Sequence, residues 1–322
     1  MSSSRTLGTS GIPVSVVGIG CNAFGSRIDA DQTRAVVDAA FEHGVTFFDT
    51  ADTYGTGRSE ELLGAALKGR RDEVVVATKF GMDMQGVNGD DGGRRGTRSY
   101  VRTAVEASLR RLGTDHIDLY QLHTPDPTTP IEETLGAMTE LVAEGKVRAI
   151  GSSNLQAWQL VDAAWRSRTA DLASFVTAQN EYSLYNRTAE VELVPACLEL
   201  GVGVLPYFPL AYGLLTGKYR RGEAAPEGTR LALQSARLAD ADWERIDALQ
   251  AFADGRGISL LELAMGGLAA QPAVSSVIAG ATRPEQVRAN VDAARWTPSV
   301  EDLTELATIG APTQSYTTYA PR

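Results

Sequence analysis

The chain is poor in the residues that build metal centres and disulfide frameworks. Its 322 residues include two cysteines, Cys21 and Cys197, and three histidines, His43, His116 and His123. No CxxC pair occurs, which argues against a zinc site and against a disulfide scaffold. A reduced, cytoplasmic protein without metal is the expectation. No apolar run is long enough to span a bilayer, and the N-terminal MSSSRTLGTSG carries no apolar export core, so no membrane role is expected. Positive charge is in deficit, with 30 Lys and Arg against 40 Asp and Glu, a formal net charge of −10. That excludes a general nucleic-acid surface, while a phosphorylated ligand needs only a local cluster of donors. Linkers and composition breaks are also missing. Residues 1–322 therefore read as one domain, with 43% hydrophobic content to fill a single large core.

The chain is organised around the stretch from Phe47 to Gly81. Val45, Phe47 and Phe48 lead into Asp49, and Val74, Val75 and Val76 lead into Thr78 and Lys79. Short apolar runs of this kind suit strands covered on both faces. Each ends in an ionisable residue, and Tyr54 lies on the loop after the first. If both strands are parallel, alternation alone brings a carboxylate, a phenol and an ammonium to one edge. A phenol titrates near 10 in water, too high to exchange protons readily at neutral pH, and an adjacent ammonium would lower that value. The bland reading is a surface ion pair beside a tyrosine.

The rest of the chain repeats the unit. A hairpin over 5–16, with Pro13 at an edge position, precedes a first strand over about 16–20. Helices are expected over about 31–43, from Ser59 as N-cap, from Ser99, over about 131–144, over about 240–254 and after Thr282. Further strands end in His123 (IDLYQLH), Asn154 (VRAIGSSN), Glu181 (FVTAQNE), Tyr207 and Phe208 (VGVLPYFPL) and Gly280 (SSVIAG). Eight strand-helix units favour a closed (β/α)8 barrel capped by an N-terminal hairpin, with a doubly wound sheet as the alternative. Gly18-Ile19-Gly20-Cys21-Asn22-Ala23 fits the GxGxxA spacing of a dinucleotide fold, but no helix opens there, so a turn at the barrel rim is the better reading. Residues 83–98 hold five glycines and no periodicity, as expected of a mobile rim loop. Arg94, Arg95 and Arg98 within it could meet an anion or face water. A second rim segment spans 211–257, and a tail spans 296–322.

Of the three histidines only His123 falls at the carboxyl end of a strand, on the rim shared by Asp49, Tyr54 and Lys79. With these residues in place, the sequence resembles the aldo-keto reductase superfamily over about residues 5–295. DTADTYG, ATKFG and YQLH are similar to its catalytic tetrad; GSSN, QNEYS, the PYFPL-to-LLTGK segment and IAGATRPEQVRAN are similar to its cofactor segments. The resemblance implies a TIM barrel that reduces a small carbonyl substrate by hydride transfer from NADPH, without metal. It further implies that Tyr54 is the general acid, that Lys79 lowers its pKa, that Asp49 holds Lys79 and that His123 orients the carbonyl oxygen.

The cofactor segments carry their own chemistry. Ser153, Asn154 and Gln179 can hydrogen-bond a carboxamide, or simply cap strand ends. Tyr207 would stack on a nicotinamide ring, followed by Phe208, Pro209 and Leu210. Gly213-Leu-Leu-Thr-Gly217-Lys218 looks like a P-loop but is one residue short and lacks the final Ser or Thr, so ATP is not expected. Lys218 is either a pyrophosphate contact or a solvated lysine. Beyond Gly280, Thr282 and Glu285 suggest a capping box, and a helix N-terminus with Arg283 suits a phosphate, which favours NADPH over NADH. Gln286 and Asn290 follow on one helix face. The chain departs from the family's usual residues at Phe208, Gly280 and Ala289. Two other readings remain: a Schiff-base aldolase using Lys79 as nucleophile, and a non-catalytic NADPH-binding regulatory subunit. Substrate choice is assigned to Phe24, the 83–98 and 211–235 segments, and Tyr316 and Tyr319. The oligomeric state is not legible.

Overall fold

The computed structural model describes residues 4–232 and 234–312. Tyr316 and Tyr319 lie outside them. Two short strands, β1 (Ser4–Thr6) and β2 (Pro13–Ser15), pair antiparallel as the N-terminal hairpin. Eight parallel strands follow: β3 (Val17–Gly20), β4 (Phe47–Asp49), β5 (Val75–Phe80), β6 (Ile117–Leu122), β7 (Val147–Ser153), β8 (Thr177–Gln179), β9 (Gly203–Val204) and β10 (Val277–Gly280). They run in sequence order, with β10 beside β3. Backbone bonds from Ser275 N to Val204 O and from Ile278 N to Pro206 O join β9 to β10 and close the ring. This is a (β/α)8 barrel.

Helices alternate with the strands, including α1 (Ala30–Glu42), α2 (Arg58–Ala66), α3 (Arg98–Leu112), α4 (Ile131–Ala143), α5 (Ala157–Thr169) and α6 (Leu193–Leu200). In the second half α7 (Ser235–Ala239) and α8 (Trp243–Asp254) interrupt the pattern before α9 (Leu260–Ala269), α10 (Pro284–Ala293) and α11 (Val300–Thr308). The expected stripe of α3, Val101, Ala104, Val105, Leu109 and Leu112, is buried, and Gly113 closes the helix in the left-handed conformation. No helix among the described residues is long and apolar enough to cross a membrane.

The period of two along each strand sorts the core into two parts. Phe48, Val76, Tyr120, Ile150 and Ala178 point outward and pack beneath the helices. Phe47, Val75, Ala77, Leu119 and Ala149 point inward and pack with Leu7, Ile12 and Val14 of the hairpin, which plugs the amino-terminal end of the barrel. One step further along the inward face stand Asp49, Lys79, Gln121 and Gln179. The hairpin therefore fills the bottom with hydrocarbon and leaves a polar layer at the top.

Several expected boundaries shift for identifiable reasons. Ser59 is not the N-cap of α2; that place belongs to Gly57 at φ +91°. Ser59 is buried in the first turn, where its hydroxyl donates to Cys21 O and meets Thr50 Oγ1. The seventh strand is far shorter than VGVLPYFPL, because Pro206 and Pro209 have no N–H for a ladder and Phe208 adopts φ +54°. The capping box from Thr282 to Glu285 is not formed: Pro284 opens α10, Arg283 is its N-cap, and Thr282 instead bonds to Gln286 Oε1. The 83–98 segment is pinned rather than loose. Met84 and Asn88 are buried, Gly96 N donates to Asp126 Oδ2 and Gly96 O accepts from Thr134. Arg95 pairs with Asp91 and Asp83, and Arg98 with Glu140.

The contact between α2 and α3 is tight at Gly64, where an added Cβ would stand 2.2 Å from Leu112 O, a backbone atom that cannot rotate away. Gly64→Ala should destabilise the fold by about 1–3 kcal/mol, despite the better helix propensity of alanine. Urea unfolding measures it, and an unchanged midpoint would mean that the two helices can separate freely.

Candidate active site

At the top of the barrel, Lys79 and Asp49 form an ion pair with no access to solvent at the lysine. Lys79 Nζ donates to Asp49 Oδ2 at 2.6 Å, to Thr50 O at 2.8 Å and to the Tyr54 hydroxyl at 3.4 Å. All three ammonium protons are therefore engaged. Asp49 Oδ1 accepts from Gln121 Nε2 at 3.0 Å and from Gln179 Nε2 at 2.8 Å. A buried pair is tolerable only when its remaining hydrogen-bonding capacity is filled, and here two amides complete the carboxylate. Gln121 was not singled out from the sequence. Its signal is register, since it stands directly opposite Lys79 on the inward face.

Tyr54 is carried by the turn between β4 and α2, held by Tyr54 N to Ala51 O and by Ser59 N to Tyr54 O. Burial pushes its phenol above the ordinary value, and Lys79 pulls it down less strongly. This corrects the expectation of a lowered phenol: the ammonium acts in the expected sense but desolvation outweighs it. Burial alone would lower the Lys79 ammonium, yet Asp49 and Tyr54 more than offset that, so it titrates above its ordinary value. His123 follows β6 directly, and its ring meets that of Tyr54 edge-on, with centroids 5.9 Å apart. Burial, with Lys79 nearby, lowers the imidazole to about 3, so the ring is neutral at physiological pH. Its Nδ1 is buried without a partner. The four side chains expected on one rim are thus brought together there.

The chain belongs to the aldo/keto reductase family. Its family model matches residues 16–310. An aldo-keto reductase of Bacillus subtilis, YhdN, is 35% identical across 94% of this chain and 92% of its own length. The uncharacterized oxidoreductase YrpG of the same organism is 37% identical across 89% of each chain. A probable voltage-gated potassium channel subunit beta of Arabidopsis thaliana is 36% identical across 90% of each. The family makes this chain an oxidoreductase acting on carbonyl groups.

The segments assigned to a cofactor from the sequence lie beside these four side chains. Ser153 is buried, and its hydroxyl accepts from Asn154 Nδ2 at 3.1 Å. Asn154, at φ +59°, also donates to His123 O and accepts from the Tyr207 hydroxyl at 2.8 Å. The Tyr207 ring meets Phe208 at 5.1 Å, and Phe208 meets Tyr212 at 4.2 Å. From there the backbone is strained, with positive φ at Phe208, Ala211, Tyr212 and Gly213. Such outliers cost about 1–3 kcal/mol each outside glycine and cluster where a ligand is clamped. Pro209 is buried and Leu210 half-buried, while Lys218 is exposed with its ammonium 5.2 Å from the Tyr219 ring. At the far side Gly280 and Arg283 are exposed, Thr282 and Gln286 half-buried and Asn290 buried. No side chain caps α10, but Pro284 has no N–H and Gln286 N already donates to Arg283 O, so Glu285 N and the Arg283 guanidinium are the groups left there for an anion. These features fit a dinucleotide phosphate.

Phe24, assigned to substrate choice from the sequence, is fully buried in the core instead. A cavity of about 660 Å³ opens next to the site, lined by Glu181, Tyr185, Tyr212, Arg237 and Asp242 among others, but by no member of the tetrad. It borders the chemistry rather than containing it.

Lys79→Met removes one charge and leaves Asp49 buried and uncompensated, which should cost about 3–5 kcal/mol of stability. Adding Asp49→Asn to that variant should restore part of the loss. Guanidinium unfolding of both proteins tests this, and a double variant no more stable than the single one would deny the pair its coupling.

Proposed function

We propose that this chain reduces an aldehyde or ketone to the alcohol with NADPH, using Tyr54 as the proton donor. The observation that carries the reading is the Tyr54 hydroxyl 3.4 Å from a buried ammonium that Asp49 fixes in place. Ser153, Asn154 and Gln179 would hold the nicotinamide carboxamide. Tyr207 would lie against the ring, the strained 208–213 segment and Lys218 along the pyrophosphate, and Thr282, Arg283, Gln286 and Asn290 at the adenosine phosphate. When bound, the cofactor supplies a hydride to the carbonyl carbon.

The protein supplies the rest. A neutral His123 donates a hydrogen bond to the carbonyl oxygen and fixes its position. Tyr54 keeps its proton at neutral pH because its surroundings disfavour the phenolate, and releases it only to an oxygen that is becoming an alkoxide. The phenolate so formed is stabilised by Lys79, whose position depends in turn on Asp49, Gln121 and Gln179. Substrate size and polarity are set by the rim segments at 83–98 and 211–235. The two cysteines are buried free thiols, in keeping with a cytoplasmic setting.

The Schiff-base reading finds less support. That chemistry needs a free amine, whereas Lys79 is an ammonium with three acceptors. The relatives named as potassium channel beta subunits favour a second reading, in which the chain binds cofactor chiefly to regulate a partner. NADPH oxidation with a panel of aldehydes and ketones separates these. Tyr54→Phe should lower kcat by about 10²–10⁴-fold with NADPH affinity little changed. Tight NADPH binding with no turnover in the wild type would support the regulatory reading, and borohydride trapping on Lys79 would revive the aldolase.

Arg283→Ala should weaken NADPH about tenfold or more while leaving NADH affinity near its starting value, because only the extra phosphate needs the guanidinium. Fluorescence titration with both cofactors measures it. Equal losses for the two would place Arg283 elsewhere than at that phosphate.

A further inference from the structure

A second polar cluster lies behind the tetrad, between the barrel and the helices α2 and α3. Asp52, on the loop that carries Tyr54, is fully buried. Its backbone N–H donates to Lys79 O at 3.1 Å, and its Oδ2 accepts from Asn88 Nδ2 at 3.0 Å. Asn88 Oδ1 accepts from Arg111 Nη1 at 3.0 Å. Arg111 Nε donates to Glu60 Oε2 at 2.6 Å, and Glu60 Oε1 accepts from Thr78 Oγ1 at 2.5 Å. The chain of bonds starts two residues before Tyr54 and ends one residue before Lys79.

The charges in this cluster do not balance. Two carboxyl groups, both without solvent access, share one guanidinium. A second buried carboxylate would stand uncompensated, which a protein interior strongly disfavours. One proton restores the balance. Asp52 Oδ1 is the oxygen left for it, buried and without a partner, and the nearby Tyr120 hydroxyl is likewise unpartnered. We propose that Asp52, in its protonated form, is a positioning residue for Tyr54, and that loss of its proton loosens the loop and slows the reaction. The proposal rests on the reading of Tyr54 as proton donor.

The groups facing Asp52 are Glu60 from α2, Arg111 and Tyr100 from α3, Asn88 from the 83–98 segment and Tyr120 from β6. Burial first, and Glu60 second, push the Asp52 carboxyl up to about 7, against Arg111 and the bonds from Thr53 N and Asn88. Burial holds both tyrosines above their ordinary range. His123 titrates at about 3 and Tyr54 above its ordinary value. Among the groups here whose titration is displaced, Asp52 is the one whose charge changes near neutrality.

The test uses wild type, Asp52→Asn and Asp52→Ala, with initial rates of NADPH oxidation on an aldehyde and melting temperatures, both read across pH 5 to 8.5. The wild-type kcat should fall as pH rises through 7. The amide of Asp52→Asn mimics the protonated carboxyl and should flatten that fall. Asp52→Ala should lose about tenfold or more in kcat at every pH, with NADPH affinity unchanged, because a loop displaced from its working position misplaces the phenol. Folded Asp52 keeps a proton that the unfolded chain releases near pH 4, so its contribution to stability declines as pH rises from there through 7. The wild-type melting temperature should accordingly drop from pH 5 to 7 relative to Asp52→Asn.

An alkaline limb shared by wild type and Asp52→Asn overturns the proposal, as does Asp52→Ala with full kcat. If Asp52→Ala fails to fold, the wild-type and Asp52→Asn profiles decide. Failure of the reductase reading looks different, with wild type inert on every carbonyl. The melts then decide alone: parallel profiles for wild type and Asp52→Asn overturn the buried proton, and a drop confined to wild type supports it.

Discussion

Two opposite charges sit at the carboxyl ends of β4 and β5, where water does not reach them. Burying Lys79 and Asp49 is costly for each alone, and their attraction repays the cost only if every remaining bonding position is filled. That condition explains much of the upper barrel. Gln121 and Gln179 reach across from two further strands to one carboxylate oxygen. Thr50 offers its carbonyl to the ammonium. Gly151, with no side chain on the inner face, leaves space where a Cβ would stand 3.2 Å from the Gln121 stem. Four strands thus converge on one ion pair, and the Tyr54 phenol completes the ammonium's coordination.

The same low-dielectric setting moves the site's protons apart. Burial raises the phenol and lowers the imidazole. At neutral pH one is a full proton donor and the other a neutral hydrogen-bonding ring. In the proposed reaction this difference in environment would separate the acid from the orienting group. Lys79 is the exception that makes this workable. It stays charged in spite of burial because its partners outweigh desolvation, and in the proposed reduction it would face the negative charge left on Tyr54.

The family resemblance and the barrel were legible in the chain because their signals are local and periodic. DTADTYG, ATKFG and YQLH each end a short apolar run, and the alternation of such runs with helical stripes needs no knowledge of distant contacts. Strand and helix ends were less legible. Ser59 has the chemistry of a cap but lies buried against Cys21 and Thr50. The glycine-rich 83–98 segment reads as loose, yet Asn88 and Gly96 are fastened by partners 30 or more residues away. Phe24 reads as a rim aromatic and is core. In each case a long-range partner overrides a local tendency.

By itself the sequence determined which residues could meet. A strand turns its side chains over every second residue, so once eight parallel strands are granted, Asp49, Lys79, Gln121 and Gln179 must share the inner face. Tertiary structure alone decided how deeply they are buried, and how far Tyr54 and His123 beside them are enclosed, which sets the sign of those two proton shifts. Desolvation depends on atoms brought from the whole chain, and no spacing in the sequence records it. An ammonium near a phenol promised a lowered pKa; the enclosure around both reversed it. The Asp52, Asn88, Arg111 and Glu60 cluster was invisible for the same reason, since its members are spread over 60 residues and only packing of α2 and α3 against the barrel makes them neighbours.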